Sequence, residues 1–243
     1  MPVEPPTRSL LRVTDFPRRV WAAEDDASPW RPEREQGLTL IYHITHVGNL
    51  ASMIDRDLIC DHDRQTGVLP SVNIGHTHIK ERRSRRAVPC GAGGTLADYV
   101  PFYFAPRSPM LYAVHRRNVE GVTARQEDIV YLVTTCESVL TAGLAFAFTD
   151  GHAIMGFSGF YDDLRHLDKI DWEVMAARYW NDTDGTGERP RKRQAEFLVH
   201  KRFPWSLITE IGVMTEAARR RVGSIITEIE HQPEIIVRRE WYY

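Results

Sequence analysis

No uncharged stretch in these 243 residues is long enough to cross a bilayer. The longest, such as Ser138 to Thr149, fall well short of the roughly 20 residues that a spanning helix needs. An apolar signal core is also missing from the start, where Glu4, Arg8 and Arg12 interrupt the sequence, so a cytoplasmic protein with no membrane partner is expected. Cysteine is scarce. Cys60, Cys90 and Cys136 are three in number and form no C-x-x-C pair, which argues against a disulfide framework and against a zinc ribbon. There is no G-x-G-x-x-G and no Walker A, so dehydrogenase and P-loop readings lose their main support. No large excess of charge exists either: 31 Lys and Arg stand against 33 Asp and Glu, a formal net charge of −2. That balance argues against a protein that coats nucleic acid, but it leaves room for a local basic groove. Neither His43/His46 nor His76/His78 has an acidic neighbour at a persuasive metal-site spacing, so no metal is expected.

What is present is the make-up of a globular chain, 42% hydrophobic and 26% charged, long enough to bury one sizeable core. Residues 1–36, rich in proline, arginine and acidic side chains, read as an N-terminal arm, with Trp21 and Trp30 to dock part of it. A single domain is expected over 37–243. Strands are predicted at Leu38–Tyr42, Tyr99–Phe104, Ile129–Thr134, Leu144–Phe148, after Glu196, around Leu207–Met214 and at Ile235–Val237. Val47, Leu50, Ile54 and Leu58 suggest a helix; Trp172, Met175, Ala176 and Tyr179 suggest a second; Val222, Ile225, Ile226 and Ile229 suggest a third. Asp61 to Asn73 reads as a polar loop, and His76 to Arg86 as a helix or an ordered loop. Strands and helices alternate without a βαβ rhythm, which favours an α+β fold.

Three constellations carry chemistry. In Tyr42-His43-Ile44-Thr45-His46 the alternation of a strand puts His43 and Thr45 on one face, where imidazole and hydroxyl suit a ribose or an amide. Lys80-Glu81-Arg82-Arg83-Ser84-Arg85-Arg86 sets five cations against a single acid, and Arg189 to Arg193 contributes four more. Two such runs about a hundred residues apart can border a groove for phosphates, although charge runs are more often solvated faces. In the aromatic block from Tyr99 to Tyr112, rings such as Tyr103 or Tyr112 can stack on a base while Arg107 and Ser108 hold a pyrophosphate. Glu196 joins these pieces, standing between the second basic run and the apolar Phe197-Leu198-Val199. Taken alone it is most simply an edge-strand carboxylate paired with Arg191 or Arg193. Its other reading is a carboxylate placed to stabilise a developing positive charge.

Together these segments resemble the DarT-type DNA ADP-ribosyltransferase toxins. The matching pieces are Tyr42 to His46 with Asn49-Leu50, Ile79 to Arg83, Asp98 to Tyr112, Phe148-Thr149-Asp150 with His152, Gln194 to Val199 and Trp241-Tyr242-Tyr243, covering about residues 38–243. The resemblance implies an ADP-ribosyltransferase fold, a split β-sheet core with an NAD cleft. It also implies transfer of ADP-ribose from NAD, as substrate, to a base in single-stranded DNA, typically thymidine N3, with no metal required. It assigns catalysis to Glu196 and Arg83. NAD contacts fall to His43, Thr45, Asn49, Tyr103, Arg107 and Ser108, and DNA contacts to Lys80, Arg82, Arg83, Met110, His152 and Arg193. It further implies a toxin–antitoxin pair whose antitoxin is a macrodomain-type hydrolase. A single strand suits the chemistry, because a duplex hides N3 in its Watson–Crick edge. The alternatives are the same fold acting on guanine, RNA or protein, and a non-catalytic single-strand binder.

Overall fold

The apolar runs become strands of one mixed sheet in the computed structural model, which describes residues 37–182 and 185–243. The N-terminal arm, residues 1–36, lies outside the described residues. In chain order the elements are β1 (Leu40–His46), α1 (Leu50–Arg56), β2 (Leu58–Ile59), α2 (Asp61–Thr66), α3 (Thr77–Arg85), β3 (Tyr99–Tyr103), α4 (Pro109–His115), β4 (Ile129–Thr135) and α5 (Cys136–Thr141). There follow β5 (Phe146–His152), β6 (Phe160–Tyr161), α6 (Trp172–Ala176), α7 (Glu188–Lys192), β7 (Ala195–His200), β8 (Arg202–Phe203), β9 (Glu210–Val213), α8 (Glu216–Ile226) and β10 (Glu234–Val237). The sheet order is β10-β9-β4-β1-β3-β7-β5-β6, and β2 pairs with β8 in a small ladder beside it. Among the described residues only β9 and β10 run parallel, and every other strand pairing is antiparallel. This is the α+β architecture the strand and helix pattern called for.

The sheet is split at its middle. β1 pairs with β4 along its whole length but meets β3 only through Tyr42 and Tyr103. Proline explains part of the opening. Within a strand a residue's N–H and C=O point the same way. The Pro101 carbonyl is bonded by the His43 ring Nδ1 of β1 at 2.8 Å, so the absent Pro101 N–H also falls on that side. The ladder therefore lacks a donor where β1 and β3 diverge, and a side chain takes the place of a strand contact.

Burial elsewhere follows the apolar pattern. β4 is buried along its length, and Phe102, Phe104, Phe148 and Phe197 fill the core between sheet and helices. Several expectations shift. β1 begins at Leu40, and Leu58 belongs to β2 rather than to the helix before it. α2 forms inside the expected polar loop although it has no apolar stripe. Cys60 Sγ accepts from the Asp63 N–H at 3.4 Å, and Asp61 and Asp63 oppose the positive end of the helix. The chain ends against the sheet: a Cβ on Gly212 would collide with the Trp241 ring, and the Tyr242 hydroxyl donates to the Ile129 and Gly212 carbonyls. Among the described residues no helix is long and apolar enough to cross a membrane.

Candidate active site

Glu196 is the second residue of β7, and β7 is an inner strand held between β3 and β5, not an edge. The residue is 3% exposed. The partner is neither Arg191 nor Arg193 but Arg83, in the last turn of α3, whose Nη1 donates to Oε2 at 2.6 Å. His152 at the end of β5 brings Nδ1 to 3.7 Å from Oε1, close enough for charge but too long for a hydrogen bond. Burial works to raise the Glu196 carboxyl; the Arg83 cation and His152 outweigh it and hold the group down at about 2. The carboxylate is thus ionised at neutral pH. Burial first, and then this negative charge, push the neighbouring Tyr103 phenol well up.

A local irregularity aims His152. The β5–β7 register slips between Phe148 and His152, so Thr149 to Gly151 bulge out of the ladder. The Glu196 N–H, deprived of a strand carbonyl, donates to the Thr149 hydroxyl at 3.1 Å, which donates on to the Gly151 carbonyl at 2.7 Å. Pairing resumes in a shifted register at His152, opposite Ala195 and beside the carboxylate. Among the described residues, Arg83 Nη2 and His152 Nδ1 are buried polar atoms with no hydrogen-bond partner. Both flank Glu196, where a substrate can engage them.

These groups open onto a cleft of about 400 Å³ that also has His43, Thr45, Asn49, Lys80, Tyr103 and Met110 in its walls. Because the Pro101 carbonyl can only accept, the His43 proton sits on Nδ1 and Nε2 is left as an acceptor. Burial lowers the His43 pKa more than that bond raises it, which keeps the ring neutral. Thr45 and Asn49 have structural bonds as well. Asn49 donates to the Thr45 hydroxyl and to the Val72 carbonyl, and accepts from the Val72 N–H, fastening the 69–75 segment over the cleft. At another part of the lining, Asp61 is clasped by Arg64 and by Lys80 Nζ at 3.1 Å, joining α2 to α3. Sequence reasoning missed Asp61 and Arg64 because they lay in a segment read as loop.

Three expected contacts are displaced. Arg107 and Ser108 are not in the cleft wall. The Arg107 guanidinium lies 4.7 Å from the centre of the Tyr243 ring, and the buried Ser108 hydroxyl caps α4 by accepting from the Leu111 N–H at 3.2 Å. Arg193 lies in the interior rather than at the surface. It is 2% exposed, with Nη1 donating to the Val174, Met175 and Ala177 carbonyls and Nη2 to the Pro106 carbonyl. The second basic run as a whole is not a free cationic rim: Arg191 pairs with Asp150 and Glu188, and Lys192 with Asp171. Arg82 is exposed on α3, outside the cleft. A buried carboxylate, an adjacent cation and a neutral imidazole in one cleft are equipped to stabilise a positive centre and hold a polar, partly anionic ligand.

Known proteins resemble this chain over most of its length. A family model described as ssDNA thymidine ADP-ribosyltransferase, DarT, matches residues 42–243. A curated DNA ADP-ribosyl transferase of Thermus sp. (strain 2.9) is 42% identical over 207 residues, covering 84% of this chain and 96% of the relative. The solved structure of Thermus sp. 2.9 DarT in complex with ADP-ribosylated ssDNA matches with a TM-score of 0.79 and 41% identity, over 84% of this chain and 96% of that one. The Thermus sp. 2.9 DarT complex with NAD+ matches at 0.74 and 39%, over 84% and 98%. A Thermosipho africanus DNA ADP-ribosyl transferase-DNA ADP-ribosyl glycohydrolase fusion protein is 26% identical over 164 residues, 65% of this chain and 38% of the fusion.

Proposed function

The chain belongs to the DarT family of DNA ADP-ribosyltransferases, and from that membership we propose that it transfers ADP-ribose from NAD to N3 of thymidine in single-stranded DNA. Nicotinamide is released. One observation carries the assignment of the reaction to this cleft: Glu196 is an ionised, buried carboxylate with Arg83 and His152 beside it.

Glu196 hydrogen-bonds a hydroxyl of the nicotinamide ribose and stabilises the positive charge that builds there as the C–N bond breaks. His43 Nε2 accepts from an amide or hydroxyl of the same substrate. A guanidinium is a poor general base, so the role of Arg83 is that of a cation that stabilises thymine with N3 deprotonated. A link between the two residues follows from the electrostatics. As Arg83 turns towards thymine, Glu196 loses the cation that helps hold its carboxyl down, and His152 alone is left to oppose burial, which raises it. The motion that stabilises the thymine anion thereby makes Glu196 a better acceptor for the N3 proton, with solvent as the other outlet. Tyr103 and Met110 line the space for nicotinamide or base, while Lys80 and the exposed Arg82 meet DNA phosphates.

We read residues 37–243 as one catalytic domain acting in the cytoplasm, with residues 1–36 as an appended arm. We also read it as the toxin of a toxin–antitoxin pair whose macrodomain-type partner removes ADP-ribose. The Thermosipho fusion, which by name joins transferase to glycohydrolase, supports that pairing.

Mass spectrometry of a mixed-sequence single-stranded oligonucleotide incubated with NAD tests the reaction. One ADP-ribose added to thymine is the expected result. An adduct on guanine would keep the mechanism and change the acceptor, whereas intact NAD with no adduct would remove the transferase reading. In the same assay Arg83→Ala should lower the rate about 10²–10³-fold and Arg83→Lys about tenfold, since a lysine keeps the charge and loses the fork. Wild-type rates in Arg83→Ala would strip Arg83 of any part in the chemistry.

A further inference from the structure

The loop between β5 and β6 is braced on both sides and tipped by an exposed ring. Arg86, which follows α3, donates from Nε to the Ala153 carbonyl at 3.3 Å and from Nη2 to the Met155 carbonyl at 3.2 Å. On the opposite flank the Ser158 hydroxyl donates to the His152 carbonyl at 2.9 Å. Between these braces Phe157 leaves 65% of its surface in solvent. The Arg191 guanidinium lies 5.3 Å from the centre of its ring. Arg191 is itself immobilised by Asp150 and Glu188, and it occupies the place that a Cβ on Gly151 would fill. A continuous path therefore runs from Glu196 to His152, across Gly151 and Arg191, and out to Phe157.

We propose that Phe157 is a stacking seat for a nucleobase adjacent to the one being modified, so that the β5–β6 loop helps set the sequence context the enzyme accepts. The proposal rests on the single-stranded DNA reading above. Nucleotides are covalently joined, so a base placed at Glu196 carries its neighbours to the rim of the cleft. Phe157 stands five residues beyond His152, a residue of the cleft wall, on a loop that Ser158 ties back to the His152 carbonyl; seated on a guanidinium, it offers a preformed flat apolar face next to the cleft. Bases have exactly such a face to bury, and stacking needs no hydrogen-bond code. The Arg191 charge is already balanced by Asp150 and Glu188, so its part is to seat the ring rather than to bind phosphate.

The test is binding of oligonucleotides that contain a single target thymine and one abasic nucleotide moved through the flanking positions. Phe157→Ala should weaken binding of the intact oligonucleotide about tenfold, and Phe157→Trp should keep it within about threefold. At one abasic position the wild type should lose about as much, and Phe157→Ala should lose nothing further. NAD affinity should be the same in all three proteins. Equal affinities for wild type and Phe157→Ala would overturn the proposal, as would a penalty that is uniform across the abasic series. A wild type that binds no single-stranded DNA would overturn the functional reading along with it. Tight, context-dependent binding without transfer would sink the reaction and leave the stacking seat standing.

Discussion

Glu196→Gln should lower ADP-ribose transfer about 10²–10³-fold while the protein still folds, with nicotinamide release and oligonucleotide mass as the readouts. The loss comes from the charge, since glutamine keeps the shape and can still hydrogen-bond a ribose hydroxyl. A rate within a few-fold of wild type would place the charge-stabilising group elsewhere in the cleft. The same substitution should also destabilise the fold, by about 3 kcal/mol, because it leaves the mostly buried Arg83 guanidinium without its counter-charge. Arg83→Met in the Glu196→Gln background should recover most of that stability and none of the activity. A pH dependence accompanies the pair. The Glu196 carboxyl is held at about 2 in the fold against 4.5 in an unfolded chain, so the unfolded state binds the proton first as pH falls. Its contribution is complete above about pH 4.5 and is lost between there and about pH 2. The double variant should lack that component of acid denaturation.

Much of the frame is legible from side-chain patterning. Ile129-Val130-Tyr131-Leu132-Val133 is apolar on both faces, and the strand it makes is buried on both. Where patterning is silent, expectations drift. Asp61 to Thr66 has no apolar stripe, and its helix is made by a cap and by acids at its positive end. The split of the sheet depends on which way one proline in β3 points, which its own run does not reveal. In the candidate site Glu196 stood out in the sequence, but its partner did not. Glu196 was singled out by its place between cations and an apolar strand, yet its counter-ion lies 113 residues away in sequence. Nearness along the chain suggested Arg191 or Arg193, and both are engaged by groups from other elements. Like side chains in one short run, Arg189 to Arg193, thus have separate roles that only the fold separates.

Arg193 shows what that separation means, and its replacement should have the largest structural effect. Backbone carbonyls, which leave no trace in a sequence, are its partners: Val174 and Met175 near the end of α6, Ala177 just beyond, and Pro106 ahead of α4. A cation suits the negative end of a helix, and here it also ties the approach to β7 to the turn after β3. Burial lowers its pKa to about 10, still high enough to keep the charge at neutral pH. Arg193→Met fills similar space but leaves these carbonyls without their donor, which should cost about 4 kcal/mol in a chemical denaturation. Arg193→Lys keeps the charge, but a single ammonium cannot span Pro106 and α6 at once, so it should recover only part of the loss. Transfer in folded Arg193→Met should fall by about 10²-fold, because the segment carrying Glu196 is no longer held in place. Oligonucleotide binding should separate this anchoring from a DNA contact. Arg193→Met should leave the salt dependence of binding as in wild type, whereas Arg82→Ala, at an exposed cation on α3, should reduce the log–log slope by about 0.7. A wild-type melting profile for Arg193→Met, with a reduced slope, would return Arg193 to the DNA interface.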